Sequence, residues 1–122
     1  MDAAAADVEH GGTLMETMKV IIKRPDEKVG HVANISNTLE NLQKIVGGHI
    51  EVHTLTSNGC VLICNEEGKL KKLEPNFRFG NVFPDVIVGT VIITGTNDDN
   101  FGDVPISMPL WKALLASWGN LV

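Results

Sequence analysis

Residues 37–64 read NTLENLQKIVGGHIEVHTLTSNGCVLIC, and their pattern changes from helical to extended at the paired glycines. Asn37 is a residue type that caps helices, and the apolar side chains that follow it recur at helical spacing. After the glycines, residues 49–55 alternate between polar and apolar side chains as a strand does. CVLIC returns after Asn58-Gly59, which favours a tight hairpin turn. The stretch therefore predicts a helix that leads into a β-hairpin.

Extended segments and a second helix are predicted on either side of this stretch. The runs MKVIIKR at residues 18–24 and HVANIS at residues 31–36 predict two strands before it. The run DVIVGTVIIT at residues 85–94 predicts one buried strand after it, and SMPLWKALLASW at residues 107–118 predicts an amphipathic helix. This order predicts an α+β fold with a mixed or mainly antiparallel sheet of about five strands and two helices packed on one face.

The chain has 122 residues, which suits one domain with one core. Residues 1–17 are rich in alanine, aspartate and glycine, so we expect a flexible tail there and a single α+β domain over residues 18–122. The tail holds four of the 15 acidic side chains and none of the 10 basic ones, which leaves 11 acidic against 10 basic in the domain. A nearly neutral domain argues against a protein that binds duplex nucleic acid.

Hydropathy and cysteine spacing predict where the protein is found. No apolar run has the length of a membrane span, and the first residues lack the cationic start and apolar core of a secretory signal. A strand would hold Cys60 and Cys64 too far apart for a disulfide, so we interpret them as small buried hydrophobic residues in a reducing compartment. We therefore expect a cytoplasmic protein without membrane contact.

His49, Glu51 and His53 alternate along one face of a predicted strand, where side chains two residues apart can share a metal ion. A third ligand such as His31 would have to come from elsewhere in the fold. Because polar side chains on the outer face of a strand are usually solvated, we predict no metal site and no cofactor.

Cationic, amide and aromatic side chains cluster after the hairpin, in KLKKLEPNFRFG at residues 69–80. Aromatic rings stack on bases, cations bind phosphates and an asparagine amide recognises polar edges, so this cluster predicts a site for a nucleotide-like ligand. The candidate residues are Lys69, Lys71, Asn76, Phe77, Arg78 and Phe79. The alternative is a short strand at residues 69–73 and an ordered connector at residues 74–84, whose phenylalanines fill the core and whose asparagine bonds to the backbone.

The C-terminal helix carries large apolar side chains on one stripe. Trp111, Leu115 and Trp118 face either the sheet or a partner, so they are candidates for contact with a host protein or with a second copy of the chain. An enzyme is the least supported class, because no nucleophile-elbow motif and no Gly-rich loop from strand to helix is present.

Three motifs occur in order along the chain: TLENLQKIVGGHIE at residues 38–51, LICNEEGKLKKLEPN at residues 62–76 and DVIVGTVIITG at residues 85–95. Their order resembles a small family from phages, plasmids and other mobile elements that is catalogued as domain of unknown function 3846, over residues 18–96. The family segment often has a pair of prolines followed by Asn-Arg. Here Glu74 replaces the first proline, and Phe77 follows Asn76 with Arg78 one place on.

The resemblance implies a compact accessory domain without a settled activity. We expect a non-enzymatic phage- or mobile-element-type protein that acts as a binding or interaction module and counteracts a host system. The first alternative is a small-ligand binding protein that sequesters a nucleotide-like signal. The second and least supported alternative is an uncharacterised enzyme.

Overall fold

The computed structural model describes residues 16–81, 85–97 and 99–121. Within these ranges the chain forms eight strands and two helices. The strands are β1 Thr17–Lys23, β2 His31–Ser36, β3 Ile50–Thr54, β4 Cys60–Asn65, β5 Pro75–Phe79, β6 Asp85–Val88, β7 Val91–Thr96 and β8 Phe101–Gly102. The helices are α1 Leu39–Val46 and α2 Met108–Ser117. Neither helix in this part of the chain is long and apolar enough to cross a membrane.

The main sheet is antiparallel and has the strand order β2-β1-β7-β4-β3, with β8 paired to the end of β7. The interior strand β4 has all six of its side chains buried. A strand of this kind is apolar on both faces because both faces of the sheet are covered. The predicted α+β fold with a mainly antiparallel sheet is confirmed.

The two helices lie on opposite faces of the sheet, so the prediction that both pack on one face is wrong. Successive side chains of a strand point to opposite faces, and the neighbours Ile21 and Ile22 of β1 belong to two different core clusters. Helix α1 covers the face of Ile22 with Leu42, and helix α2 covers the face of Ile21 with Trp111. Because the inner strands are apolar on both faces, each face needs its own cover.

Helix α1 is capped one residue later than predicted. The cap is Thr38, whose side-chain oxygen accepts a hydrogen bond from the backbone N–H of Asn41 at 3.1 Å. Asn37 instead donates its side-chain N–H to the carbonyl of Phe101 at 2.8 Å, which ties the start of the helix to β8. The predicted end is confirmed, because Gly47 has a φ of 86° and closes the helix in the left-handed region.

The run DVIVGTVIIT, predicted as one strand, forms two strands in two different sheets. Strand β7 belongs to the main sheet, while β6 pairs with β5 in a separate two-stranded sheet. The break is at Gly89, which has a φ of 77° and donates its N–H to the carbonyl of Glu74 at 2.8 Å. Phe77 of β5 and Ile87 of β6 join the core on the α2 face.

The irregular connector predicted at residues 74–84 contains strand β5. Residues 75–79 are a strand, and residues 69–72, where a short strand was predicted, form a turn. Residues 82–84 of the predicted connector lie outside the described part of the chain.

Most of the predicted tail, residues 1–15, lies outside the described residues. The carbonyl of Glu16 accepts the N–H of Asn37 at 2.9 Å, and Thr17 pairs with Ser36 in β2. The described sheet therefore begins one residue before the predicted domain start at Met18.

Replacing Gly89 with valine is expected to lower the free energy of unfolding by about 2 kcal/mol, because a β-branched residue is strained at this positive φ. An added Cβ would also lie 2.8 Å from Cδ1 of Leu73. Urea denaturation measures the change. Gly102→Val is the control, because a Cβ at Gly102 has no atom within 4 Å. Equal losses of stability in the two variants would contradict the prediction.

Alkaline pH is expected to destabilise the fold through the buried thiol of Cys60. Burial raises the pKa of this thiol from 9.0 to about 11. Between these values the unfolded chain has released the thiol proton and the folded chain has kept it. The free energy of unfolding therefore falls as the pH rises, by up to about 1.4 kcal/mol per pH unit from this group.

Urea denaturation of the protein and of Cys60→Ala, carried out from about pH 8 to about pH 10.5, measures this contribution. We expect a shallower loss of stability with pH in the variant, whatever its absolute stability. Parallel profiles of the two proteins would show that Cys60 does not contribute.

Candidate functional site

The polar face of β3 lies beside Cys64 of β4. Glu51 and His53 are two residues apart, so their side chains point to the same face. In the antiparallel pairing of the two strands, Glu51 is directly opposite Cys64. Residues directly opposite each other also share a face, so the pairing brings a carboxylate, an imidazole and a thiol together.

These three side chains form a close cluster. Their ligand-type atoms all lie within 4.8 Å of one another, and Nε2 of His53 is 3.5 Å from Oε2 of Glu51. Glu51 is exposed, His53 is half-buried and Cys64 is buried. Burial, and to a smaller extent the Glu51 carboxylate, raise the pKa of the Cys64 thiol to about 11, although the nearby Lys69 ammonium acts in the opposite direction. The thiol is therefore protonated at neutral pH.

The cluster lines an open groove of about 250 Å³, which we call the edge groove. Its lining consists of residues 51, 53, 64–66, 68–70 and 85–88. One wall is the β3–β4 hairpin, and the other is the turn after β4 together with β6. The groove thus lies where the two-stranded sheet meets the edge of the main sheet.

An ion pair joins the two parts of the second wall. Nζ of Lys69 lies 2.5 Å from Oδ1 of Asp85, and the hydrogen bond with Lys69 is the main cause that holds the pKa of Asp85 below its usual value. Glu66 adds another carboxylate to the lining. The groove therefore contains three carboxylates, of Glu51, Glu66 and Asp85, and one ammonium group, of Lys69. Its net charge is negative.

The other histidines considered for a metal site lie elsewhere. His31 is in β2, at the opposite edge of the sheet, where its Nδ1 is 2.7 Å from Oε2 of Glu27. His49 precedes β3 and is exposed. The third member of the cluster is Cys64, which sequence analysis missed because the thiol was interpreted as a buried hydrophobic residue. Its strand pairing with Glu51 is the signal that places it there.

Asn76, a predicted ligand residue, holds the two sheets together. Its side-chain N–H groups donate to the carbonyls of Lys23 at 2.9 Å and Gly89 at 2.7 Å, and its Oδ1 accepts from Nζ of Lys23 at 2.6 Å. Lys23 is 3% exposed, and burial lowers its pKa. Both donors of the amide are used within the fold, so Asn76 has the backbone role that the connector alternative gave it.

The predicted aromatic residues fill the core. Phe77 is 4% exposed; its ring stacks on Trp118 with centroids 6.1 Å apart and meets Trp111 edge-on at 5.6 Å. Phe79 is half-buried and contacts the rings of Trp118 at 5.1 Å and His53 at 5.8 Å. Phe77 therefore offers no free face on which a base could stack, which corrects its predicted role.

Arg78 and Lys71 are exposed and lie outside the groove. The backbone N–H and carbonyl of Arg78 both bond to the side-chain amide of Asn120, each at 2.7 Å. Nζ of Lys71 is 3.8 Å from Oε1 of Glu67. Of the six predicted ligand residues, all of which the structure describes, Lys69 alone lines the edge groove.

The three interaction candidates of α2 are core residues. Trp111 and Leu115 are fully buried and Trp118 is nearly so. The indole N–H of Trp111 donates to the carbonyl of Val29 at 2.8 Å. Because these side chains face the sheet of their own chain, they are not on a surface that a partner could contact, and their predicted role is corrected.

Asn76→Ala is expected to lower the free energy of unfolding by about 2 kcal/mol, because the Lys23 ammonium and two carbonyl groups lose their partners. Arg78→Ala should change it by less than about 0.5 kcal/mol, since the backbone bonds to Asn120 remain. Chemical denaturation of both variants makes the comparison. A larger loss in Arg78→Ala than in Asn76→Ala would contradict these roles.

Comparison with protein families gives a match over most of the chain. No curated protein and no solved structure matches the chain. Residues 18–113 match the family described as "Domain of unknown function (DUF3846)". The match continues beyond residue 96, where the motif resemblance ended, into helix α2. Because it covers most of the 122 residues, the chain belongs to the DUF3846 family.

Proposed function

We propose that this chain is a non-enzymatic binding protein whose ligand site is the edge groove. The observation behind the proposal is the convergence of a thiol, an imidazole, an ammonium group and carboxylates, from separate segments, on one concave surface. Small-ligand sites typically combine a concave surface with a few converging polar groups. In the segment predicted from the sequence, the side chains of Asn76 and Phe77 are occupied with holding the fold together.

The charges of the groove favour a small cationic ligand. Three carboxylates line it against a single ammonium group, and that group, of Lys69, is already paired with Asp85 at 2.5 Å. An anionic phosphate would meet an excess of negative charge. A volume of about 250 Å³ also falls below the ~300–1,000 Å³ of sites for larger ligands. We therefore favour a small cation or amine over the nucleotide-like ligand.

The state of the thiol favours binding over catalysis. A nucleophilic cysteine acts as a thiolate, and positive neighbours or a helix N-terminus usually lower its pKa. For Cys64 the balance goes the other way, because burial and the Glu51 carboxylate raise its pKa by more than the Lys69 ammonium lowers it.

A protein partner is the second candidate ligand, since two apolar side chains border the groove. Leu70 is 82% exposed and Val86 is 43% exposed, and both belong to the lining. A partner that inserted a lysine or arginine side chain between them would neutralise the carboxylates and cover the apolar rim. This version keeps the expected interaction module but moves its contact surface from α2 to the groove.

The proposed biological setting follows from the motif resemblance. It is that of a cytoplasmic accessory protein of a phage or mobile element, which acts on a host system by binding. The two free, buried cysteines suit a reducing compartment.

A thermal-shift screen with amines, amino acids, nucleotides and divalent cations tests the proposed function. A ligand present at about 100 times its dissociation constant adds ~2.7 kcal/mol to the free energy of unfolding. We expect a shift with a cationic compound that is lost in Glu51→Gln, and a shift with an amine, which would pair with both carboxylates, that is lost in Asp85→Asn as well. Glu40→Gln, at an exposed position on α1 and so on the other side of the sheet, should keep it. The proposal fails if no compound gives a shift, or if the shift persists in both groove variants.

A further inference from the structure

We propose that Glu51, His53 and Cys64 together bind a divalent transition metal ion, with zinc as the best match to their chemistry. The inference rests on the proposed function, because it names the cation that the edge groove takes. The metal site uses only part of the groove lining, however, since Lys69 and Asp85 are not among the proposed metal ligands.

The strand pairing already brings the three ligand atoms close to the required spacing. Zinc is bound at about 2.3 Å by sulfur and at about 2.0–2.2 Å by nitrogen and oxygen, so neighbouring ligands of a tetrahedral ion are roughly 3.5 Å apart. Nε2 of His53 and Oε2 of Glu51 are 3.5 Å apart, and all three ligand atoms lie within 4.8 Å of one another. The longer separations therefore involve Sγ of Cys64, and rotations of the exposed Glu51 and half-buried His53 side chains would close them without any change in the sheet.

The donor types select the metal. Magnesium and calcium prefer sites made of oxygen ligands, whereas a thiolate, an imidazole and a carboxylate suit zinc and cobalt(II). The buried position of Cys64 disfavours a bare thiolate, but a bound divalent cation replaces the thiol proton and supplies the missing positive charge.

The backbone of the site is rigid on the side of the thiol. Cys64 lies in an interior strand whose side chains are all buried, and Glu51 and His53 lie in the strand paired with it. Three protein ligands leave the fourth tetrahedral position open towards the groove. Water, or a donor atom of a small ligand in the groove, would take that position.

The competing interpretation is an ordinary contact between a surface carboxylate and a histidine, next to an inert thiol. The two interpretations differ in whether sulfur touches the metal. Cobalt(II) reports this directly, because a cobalt–thiolate bond gives a charge-transfer absorption band in the near ultraviolet that oxygen and nitrogen ligands do not give.

The experiment is a cobalt(II) titration of the full chain under reducing conditions. We expect a saturable thiolate band at one equivalent in the native protein and in Cys60→Ser, and no such band in Cys64→Ser. Cys60 is a matched control, since it is a buried free cysteine of the same strand on the same face of the sheet. A native protein without the band, or an unchanged band in Cys64→Ser, would overturn the proposal.

Zinc affinity, measured by competition with a chromophoric chelator, tests the other two ligands. We expect His53→Ala and Glu51→Gln each to weaken binding by about tenfold or more. His31→Ala, at the opposite edge of the sheet, should not change it. Glu51 is exposed, so its variant gives a valid result even if the serine variant of buried Cys64 fails to fold. Unchanged zinc affinity in Glu51→Gln and in His53→Ala would also overturn the proposal.

The metal site and the proposed function can fail separately. A shift with an amine that depends on Asp85, without a cobalt–thiolate band, would retain the binding function and eliminate the metal site. Absence of both signals would eliminate both proposals.

Discussion

A sheet whose inner strands are apolar on both faces must be covered on both faces, and the rest of this structure depends on that constraint. Helix α1 forms the cover on one side, where Leu42 and Val46 pack on the sheet. On the other side, α2 is joined by the β5–β6 sheet, and Phe77 and Trp111 meet in the shared core. The edge groove lies where this second cover reaches β3 and β4, so the candidate site is a consequence of how the core is closed.

Local patterns predicted the elements that are stabilised locally. The helices at residues 39–46 and 108–117 and the strands on either side of Asn58-Gly59 follow from spacing, turn residues and capping chemistry. Local pattern could not predict whether Asn37 or Thr38 caps α1, because both residue types cap helices well. Asn37 instead donates a hydrogen bond to the carbonyl of Phe101, which is distant in sequence.

Tertiary contacts decided the elements that were predicted wrongly. Eight of the ten residues at 85–94 are β-branched, and only Gly89 marks the point where the chain leaves one sheet for another. The cluster at Glu51 and Cys64 required the pairing of two strands in addition to the pattern of each. Strand alternation alone already puts Glu51 and His53 on one face, and any hairpin register that pairs either of them with Cys64 puts the thiol on that face too. That part of the site was open to prediction, whereas the contribution of β6 was not.

Lys23 and Asn76 are 53 residues apart in sequence, and their hydrogen bonds attach β5 to β1. A two-stranded sheet has little stability of its own, so β5–β6 persists only while this attachment and the packing against α2 hold. Local opening in proteins follows such boundaries, and native-state hydrogen exchange reports it as a group of amides that exchange together. The edge groove therefore has one wall that includes the interior strand β4 and another in a unit that can open without global unfolding. A ligand that contacts both walls would slow exchange in β6 as well as in β4, whereas a ligand held by the β3–β4 wall alone would slow exchange in β4 and leave the local opening of β6 unchanged.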